Sequence, residues 1–170
     1  LSLHDALPIY LRITNHRTGD SFVYTQNTLT QRTIGPKSTG EIAIDVSNMK
    51  NGDVAGLGAL QFNYGYIGVK MEEGEKSVVM VSGNPDDGEV VEEQVPLEQE
   101  VVYLKAALDF EELKDEGQFY YSFDGEEWNA LGSEIQMSYT LPHFMGYRFA
   151  LFNYATESTG GYVDFDYFNI

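Results

Sequence analysis

Short runs in which every second residue is apolar recur along almost the whole chain, and they leave it little choice of fold. Glu41-Ile42-Ala43-Ile44-Asp45-Val46 places Ile42, Ile44 and Val46 on one side of an extended backbone. Gly117-Gln118-Phe119-Tyr120-Tyr121-Ser122-Phe123 does the same with Phe119, Tyr121 and Phe123. Comparable runs occupy residues 57–62, 66–70, 77–81, 90–95, 101–108, 147–154 and 162–168, divided by Gly and Asp-Gly turn signals. No segment carries the period of a convincing amphipathic helix; residues 110–115 come nearest and are short enough to be a solvated turn. About a dozen short strands can each bury an apolar face only if two sheets stack. The expected fold is therefore all-β, a jelly-roll sandwich of two antiparallel sheets. The acidic residues 84–100 read as an exposed hairpin rather than a linker, and no domain boundary or internal repeat interrupts the pattern.

A net charge of −17, from 27 acids against 10 bases, repels phosphate backbones, and no basic stripe offsets it. Nucleic acid is not an expected partner. No apolar run reaches the roughly 18–20 residues of a membrane span, so none is expected there either. The absence of cysteine removes disulfides and thiolate metal sites and leaves the compartment open. Such a surface suits neutral ligands such as sugars, or divalent cations.

Catalytic constellations are missing. A glycosidase needs two carboxylates facing each other across a bound sugar. Here the acids pair up in loops, as in Glu72-Glu73, Asp86-Asp87, Glu92-Glu93, Glu111-Glu112 and Glu126-Glu127, which is the pattern of solvated faces. No Gly-x-Ser-x-Gly elbow or glycine-rich phosphate loop occurs, and His4, His16 and His143 are too few to build a zinc site. The chain on its own is not expected to be an enzyme.

Four stretches stand out. Trp128, the only tryptophan, follows the Asp124-Gly125 turn and is either a sugar-stacking platform or, as the more ordinary reading, core packing over a hairpin. Asp164 and Asp166 alternate with Val163, Phe165 and Tyr167; on a regular strand both carboxylates would share the outer face, where they could help hold a structural calcium ion or simply be solvated. Residues 138–149 crowd Pro142, His143, Phe144, Met145, Arg148 and several further aromatics into a connection between strands. Apolar residues in such a loop call for burial against this domain or a partner. Residues 27–32 have a similar flavour, with Arg32 available for a buried hydrogen-bond fork.

Taken in order, Tyr10-Leu11-Arg12-Ile13, Leu29-Thr30-Gln31-Arg32-Thr33, Asp53-Val54-Ala55-Gly56-Leu57, Tyr64-Gly65-Tyr66-Ile67-Gly68-Val69, Phe119-Tyr120-Tyr121-Ser122, Trp128 and the ending Val163-Asp164-Phe165-Asp166-Tyr167-Phe168 resemble the C-terminal concanavalin A-like domain of glycoside hydrolase family 43. That family includes β-xylosidases and α-L-arabinofuranosidases. The resemblance spans residues 10–170 and implies a parent glycoside hydrolase with an N-terminal five-bladed catalytic propeller. The catalytic carboxylates would lie on that propeller, none of them in this chain. It further implies an accessory sandwich that packs on the propeller and helps shape its active-site mouth through the loop carrying His143, Phe144, Met145 and Arg148. Phe144 would be the aromatic nearest the substrate, a neutral xylan- or arabinan-type oligosaccharide. The alternatives are an independent carbohydrate-binding module and a purely structural sandwich. No cofactor is expected beyond the possible calcium, and a bacterial periplasmic or extracellular setting is expected.

Residues 1–9 carry no strand period, and CTTTCCCTACACGACGCTCTTCCGATCT, a common short-read sequencing adaptor, translates to them in one frame with a T left over to begin the Tyr10 codon. They are expected to be adaptor read-through rather than native sequence, so that the domain proper comprises residues 10–170.

Overall fold

The computed structural model describes residues 10–137 and 146–170 and shows two antiparallel sheets packed face to face. One sheet contains β1 (Leu11–Thr14), β13 (Tyr162–Asn169), β3 (Lys37–Asp45), β8 (Val101–Asp109), β9 (Glu116–Ser122) and β10 (Asn129–Ala130) in that spatial order. The short β11 (Ile135–Gln136) also pairs with β9. The other sheet runs β2 (Thr28–Arg32), β12 (Arg148–Ala155), β4 (Asp53–Leu60), β5 (Tyr64–Glu72), β6 (Glu75–Asn84) and β7 (Gly88–Leu97). Every pairing between these strands is antiparallel. The all-β sandwich expected from the alternating pattern is the fold observed.

The inward set of that pattern forms the core. Ile42, Ile44, Leu104, Leu108, Phe119 and Phe165 from the seven-stranded sheet interlock with Leu57, Ile67, Met80 and Phe149 from the six-stranded one, all essentially without solvent contact. Such burial is worth roughly 1.5–3 kcal/mol for each large side chain removed from water. Residues 111–113 form a single exposed 3-10 turn, in keeping with the solvated turn expected there.

Two local readings change. β9 ends at Ser122, so Phe123 leaves the inward row and stands 43% exposed, its ring edge-on to Tyr121 at 5.2 Å. Residues 28–32, expected to be buried, form the edge strand β2, where Leu29 is 51% exposed. Its sequence alternates too weakly to announce a strand, and pairing with β12 alone holds it there.

The central strands of the six-stranded sheet, β12, β4 and the first part of β5, are buried on both faces. Residues 15–27 cross its outer side as a strap, and Phe22 inserts among Tyr64, Tyr66 and Phe152 at ring centroid distances of 5.4, 5.4 and 4.6 Å. Glycine makes room for it: a Cβ on Gly58 would sit 2.7 Å from the Phe22 ring. This second core explains why β12 reads as a continuous apolar run instead of alternating.

Candidate functional site

Arg148, at the start of β12, and Arg32 on β2 lie together at one end of the sandwich. Register pairs Arg148 with Arg32 on one side and Leu60 on the other, so the two arginines are cross-strand neighbours on the outer face. Arg148 donates through Nη1 to Thr30 Oγ1 at 3.0 Å, while its buried Nε has no hydrogen-bond partner. No carboxylate among the described residues pairs with either guanidinium. Arg32 is exposed rather than buried in a fork, because β2 is an edge. The other loop residues singled out, His143, Phe144 and Met145, lie outside the described residues.

At the same end a cleft of about 350 Å³ opens between the β6–β7 turn and the segment around β11. Asn63, Tyr64, Asn84, Glu92, Glu134 and Gln136 line it together with the apolar patch of Ile135 and Val90. Hydroxyl, amide and carboxylate groups around a small apolar floor are a lining that a sugar's hydroxyls and C–H faces can satisfy. Sequence reasoning had no access to this cleft, since its walls come from segments about 50 residues apart brought together only by the stacking of the two sheets.

Trp128 lies elsewhere, over the outer face of the seven-stranded sheet near its β10 edge. Lys105 Nζ sits 3.5 Å from the centre of its ring, and Lys105 in turn reaches Glu41 Oε2 at 3.4 Å. The ring is half-buried, resting on an ammonium rather than within the core. Gly125, at φ +81°, makes the turn that the Asp-Gly signal implied, and a Cβ there would come 3.3 Å from the Tyr103 ring.

Asp164 and Asp166 are not equivalent. Asp164 accepts from Arg12 Nε and Nη2, both at 2.8 Å, in a bidentate pair. Asp166 falls at a bulge between Phe165 and Tyr167, which breaks the alternation that would align it with Asp164. A cation at Asp164 would have to compete with the Arg12 guanidinium. Among the described residues no group of three or more His, Asp or Glu side chains is placed to hold a metal ion.

One cluster the sequence did not announce centres on Glu89. Its Oε1 accepts from Phe22 N at 2.8 Å and from Tyr64 Oη at 3.1 Å; its Oε2 lies 3.5 Å from the hydroxyls of Tyr66 and Tyr154. Burial, reinforced by the Glu89 charge, pushes all three phenols well above their ordinary range, so they remain neutral donors at any physiological pH. Glu89 thereby pins the strap to the sheet. A second buried network joins Asn15, Asp53 and Asn153, none of them exposed, with Asn15 Nδ2 donating to Asp53 Oδ1 at 3.0 Å and to Asn153 Oδ1 at 2.9 Å. Desolvation raises the Asp53 carboxyl, against the lowering effect of the Lys50 N–H and Asn15.

Residues 3–170 match the family described as the beta-xylosidase C-terminal concanavalin A-like domain. Among solved structures, a bifunctional GH43-CE protein of Bacteroides eggerthii superposes with a TM-score of 0.91 at 56% identity, covering 94% of this chain and 20% of that one. An engineered GH43 glycoside hydrolase that displays both endo-xylanase and exo-arabinofuranosidase activity matches with a TM-score of 0.90 at 29% identity, over 94% of this chain and 34% of that one. The xylan β-1,4-xylosidase of Bacillus halodurans C-125 shares the fold, with a TM-score of 0.75 at 22% identity, 94% of this chain and 32% of that one. The chain thus spans between about a fifth and a third of the length of these structures. No curated protein sequence matches it.

Proposed function

The chain belongs to the beta-xylosidase C-terminal concanavalin A-like domain family of the family 43 glycoside hydrolases, and from that premise we propose that it is an accessory sandwich packed on an N-terminal catalytic propeller of the same longer protein. In this reading the end of the sandwich that carries Arg32, Arg148 and the neighbouring cleft faces the propeller's active-site mouth. The substrate is a neutral xylan- or arabinan-type oligosaccharide, and hydrolysis belongs to carboxylates of the propeller.

The arginine pair is the observation that carries the orientation. Arg148 and Arg32 are directly opposite in register, and cross-strand like charges are destabilising unless an anion is shared between them. In a chain with 17 more acids than bases, leaving both without a carboxylate points to an acidic surface from outside the domain. Glycosidase mouths supply one, because the chemistry needs at least two carboxylates there.

Kinetics of the longer protein test this. Arg148→Ala combined with Arg32→Ala should raise KM for xylotetraose several-fold, with a much smaller change in kcat, and Arg148→Lys should recover part of the loss. Unchanged KM and kcat in the double variant, with unaltered thermal unfolding, would mean a sandwich that only fills space, and the reading would fall.

A further inference from the structure

The outer face of the seven-stranded sheet carries a second feature that the accessory role leaves unused. Register aligns Glu41, Lys105 and Tyr120 in one cross-strand row and Tyr167, Ala43 and Tyr103 in the next. Tyr167 donates to Glu41 Oε1 at 2.9 Å, Glu41 pairs with Lys105, and the Lys105 ammonium lies beneath the Trp128 ring. Because an ammonium 3.5 Å from a ring centre can sit only above the ring plane, Lys105 caps one face of the indole, and Trp128 as a whole is partly exposed. The chain therefore builds a partly exposed aromatic plate on a buttress, with one face held by a charge network and phenols in the neighbouring cross-strand rows.

We infer that this plate is a carbohydrate-binding surface for a neutral, linear β-linked xylo-oligosaccharide, at a place distinct from the cleft beside Ile135. This rests on the polysaccharide reading above for the class of ligand, not for the site. Three observations favour a neutral sugar. The charges under the plate are internally paired, Lys105 with Glu41, so nothing there attracts a charged ligand, and the net charge of −17 repels polyanions. A flat aromatic face bordered by hydroxyls suits the C–H face of a sugar ring and its equatorial hydroxyls. A protein partner would need a far larger contact, burying on the order of 1,000 Å² in total. Among the described residues, the large apolar side chains exposed at strand ends of this sheet near the plate, Val101, Phe123 and Ile170, stand singly rather than as one patch. The plate and the cleft adjoin different stretches of β9: β10 meets it at Tyr120 and Tyr121, whereas β11 meets it at Glu116 and Gly117.

Because Trp128 is the only tryptophan, its fluorescence reports on this plate alone. Titrating the chain with xylohexaose should give a saturable change in tryptophan emission. By calorimetry, Trp128→Ala should weaken binding by about tenfold or more, while Trp128→Phe keeps most of it. Lys105→Met, which removes the buttress without touching the ring, should weaken binding less than Trp128→Ala. Circular dichroism and thermal unfolding of each variant exclude a folding defect. The inference is overturned if emission fails to saturate with xylohexaose, if Trp128→Ala binds as tightly as the parent chain, or if sedimentation shows that the emission change follows self-association. Hydrolysis by the longer protein plays no part in the readout, so failure here leaves the accessory role standing and failure there leaves the plate standing.

Discussion

Single residues decide how tightly the strap end of the sandwich closes. Gly161 is the sharpest case: a Cβ there would come 1.8 Å from Asp53 Oδ2, inside a network with no exposed member. Neither partner can retreat, since Asp53 is held by Lys50 N at 2.8 Å and by Asn15, and Asn15 is held by Asn153. Gly161→Ala should therefore cost about 3 kcal/mol or more, read from the urea midpoint, whereas Gly19→Ala, with open space around its Cβ, should cost well under 1 kcal/mol. Asp53 adds a pH dependence. Its carboxyl is raised by desolvation, so the folded state holds a proton more tightly than the unfolded chain. The contribution is fully present below the unfolded value and is lost as pH rises through the folded one. Asp53→Asn, at the expense of one accepting group facing Lys50 N, should flatten the decline in stability above the ordinary carboxylate range. Parallel stability-pH curves for the two proteins would show that the folded and unfolded proton affinities do not differ. None of this could be read from the sequence, where Asn15, Asp53, Asn153 and Gly161 are scattered polar and small residues with nothing to say that they meet.

At the scale of elements, the strands were legible and the strap was not. Runs such as residues 41–46 and 101–108 alternate because the seven-stranded sheet keeps one wet face, and that period is what a sequence displays best. β4, β5 and β12 are covered on both sides and lose the period, so their ends were harder to place: the run expected at residues 57–62 is β4 at Asp53–Leu60. What covers them is a segment of turns and one 3-10 turn, Phe22–Tyr24, whose deep apolar anchor is Phe22. Glu89 bridges the middle of the strap to the tyrosines of the sheet. Glu89→Ala would leave Phe22 N and the hydroxyl of Tyr64 without their acceptor at a partly buried site, a loss of about 1–3 kcal/mol. Phe22→Ala would open a cavity against Gly58, Tyr64 and Phe152 and should cost about 3–5 kcal/mol. Hydrogen exchange separates the two outcomes. Glu89→Ala should speed exchange selectively at the Phe22 and Thr25 amides, with the β3 and β8 ladder unchanged. Uniform acceleration across both sheets would instead mean that the strap is integral to the core and not a separately pinned layer.

Over the whole molecule the controlling fact is charge, and the sequence stated it outright. With 27 acids and 10 bases, the folded state concentrates a net charge of −17 on one compact surface. Several of the bases are tied into exposed pairs, Arg12 with Asp164, Lys37 with Asp109 and Glu111, Lys70 with Glu72, which leaves long acidic stretches such as β7 uncompensated. Two terms then respond to salt in opposite directions. Screening weakens the exposed pairs, each worth at most about 1 kcal/mol. It also weakens the repulsion among the excess carboxylates, which is spread over many separations comparable with the Debye length of roughly 10 Å at 0.1 M. The second term has many more members here, because every described ion pair leaves several acids without a partner. Raising NaCl from about 20 to about 300 mM should therefore increase Tm by a few degrees, about 1 kcal/mol of stability for a domain of this size. Most of that rise should come between the first additions, where the Debye length shrinks fastest. Lowering the pH toward the pI near 4.3 should act in the same direction until the paired carboxylates such as Asp109 and Asp124, both held below their ordinary value by backbone N–H donors, begin to protonate. A Tm that falls with salt would mean that the few ion pairs outweigh the excess charge.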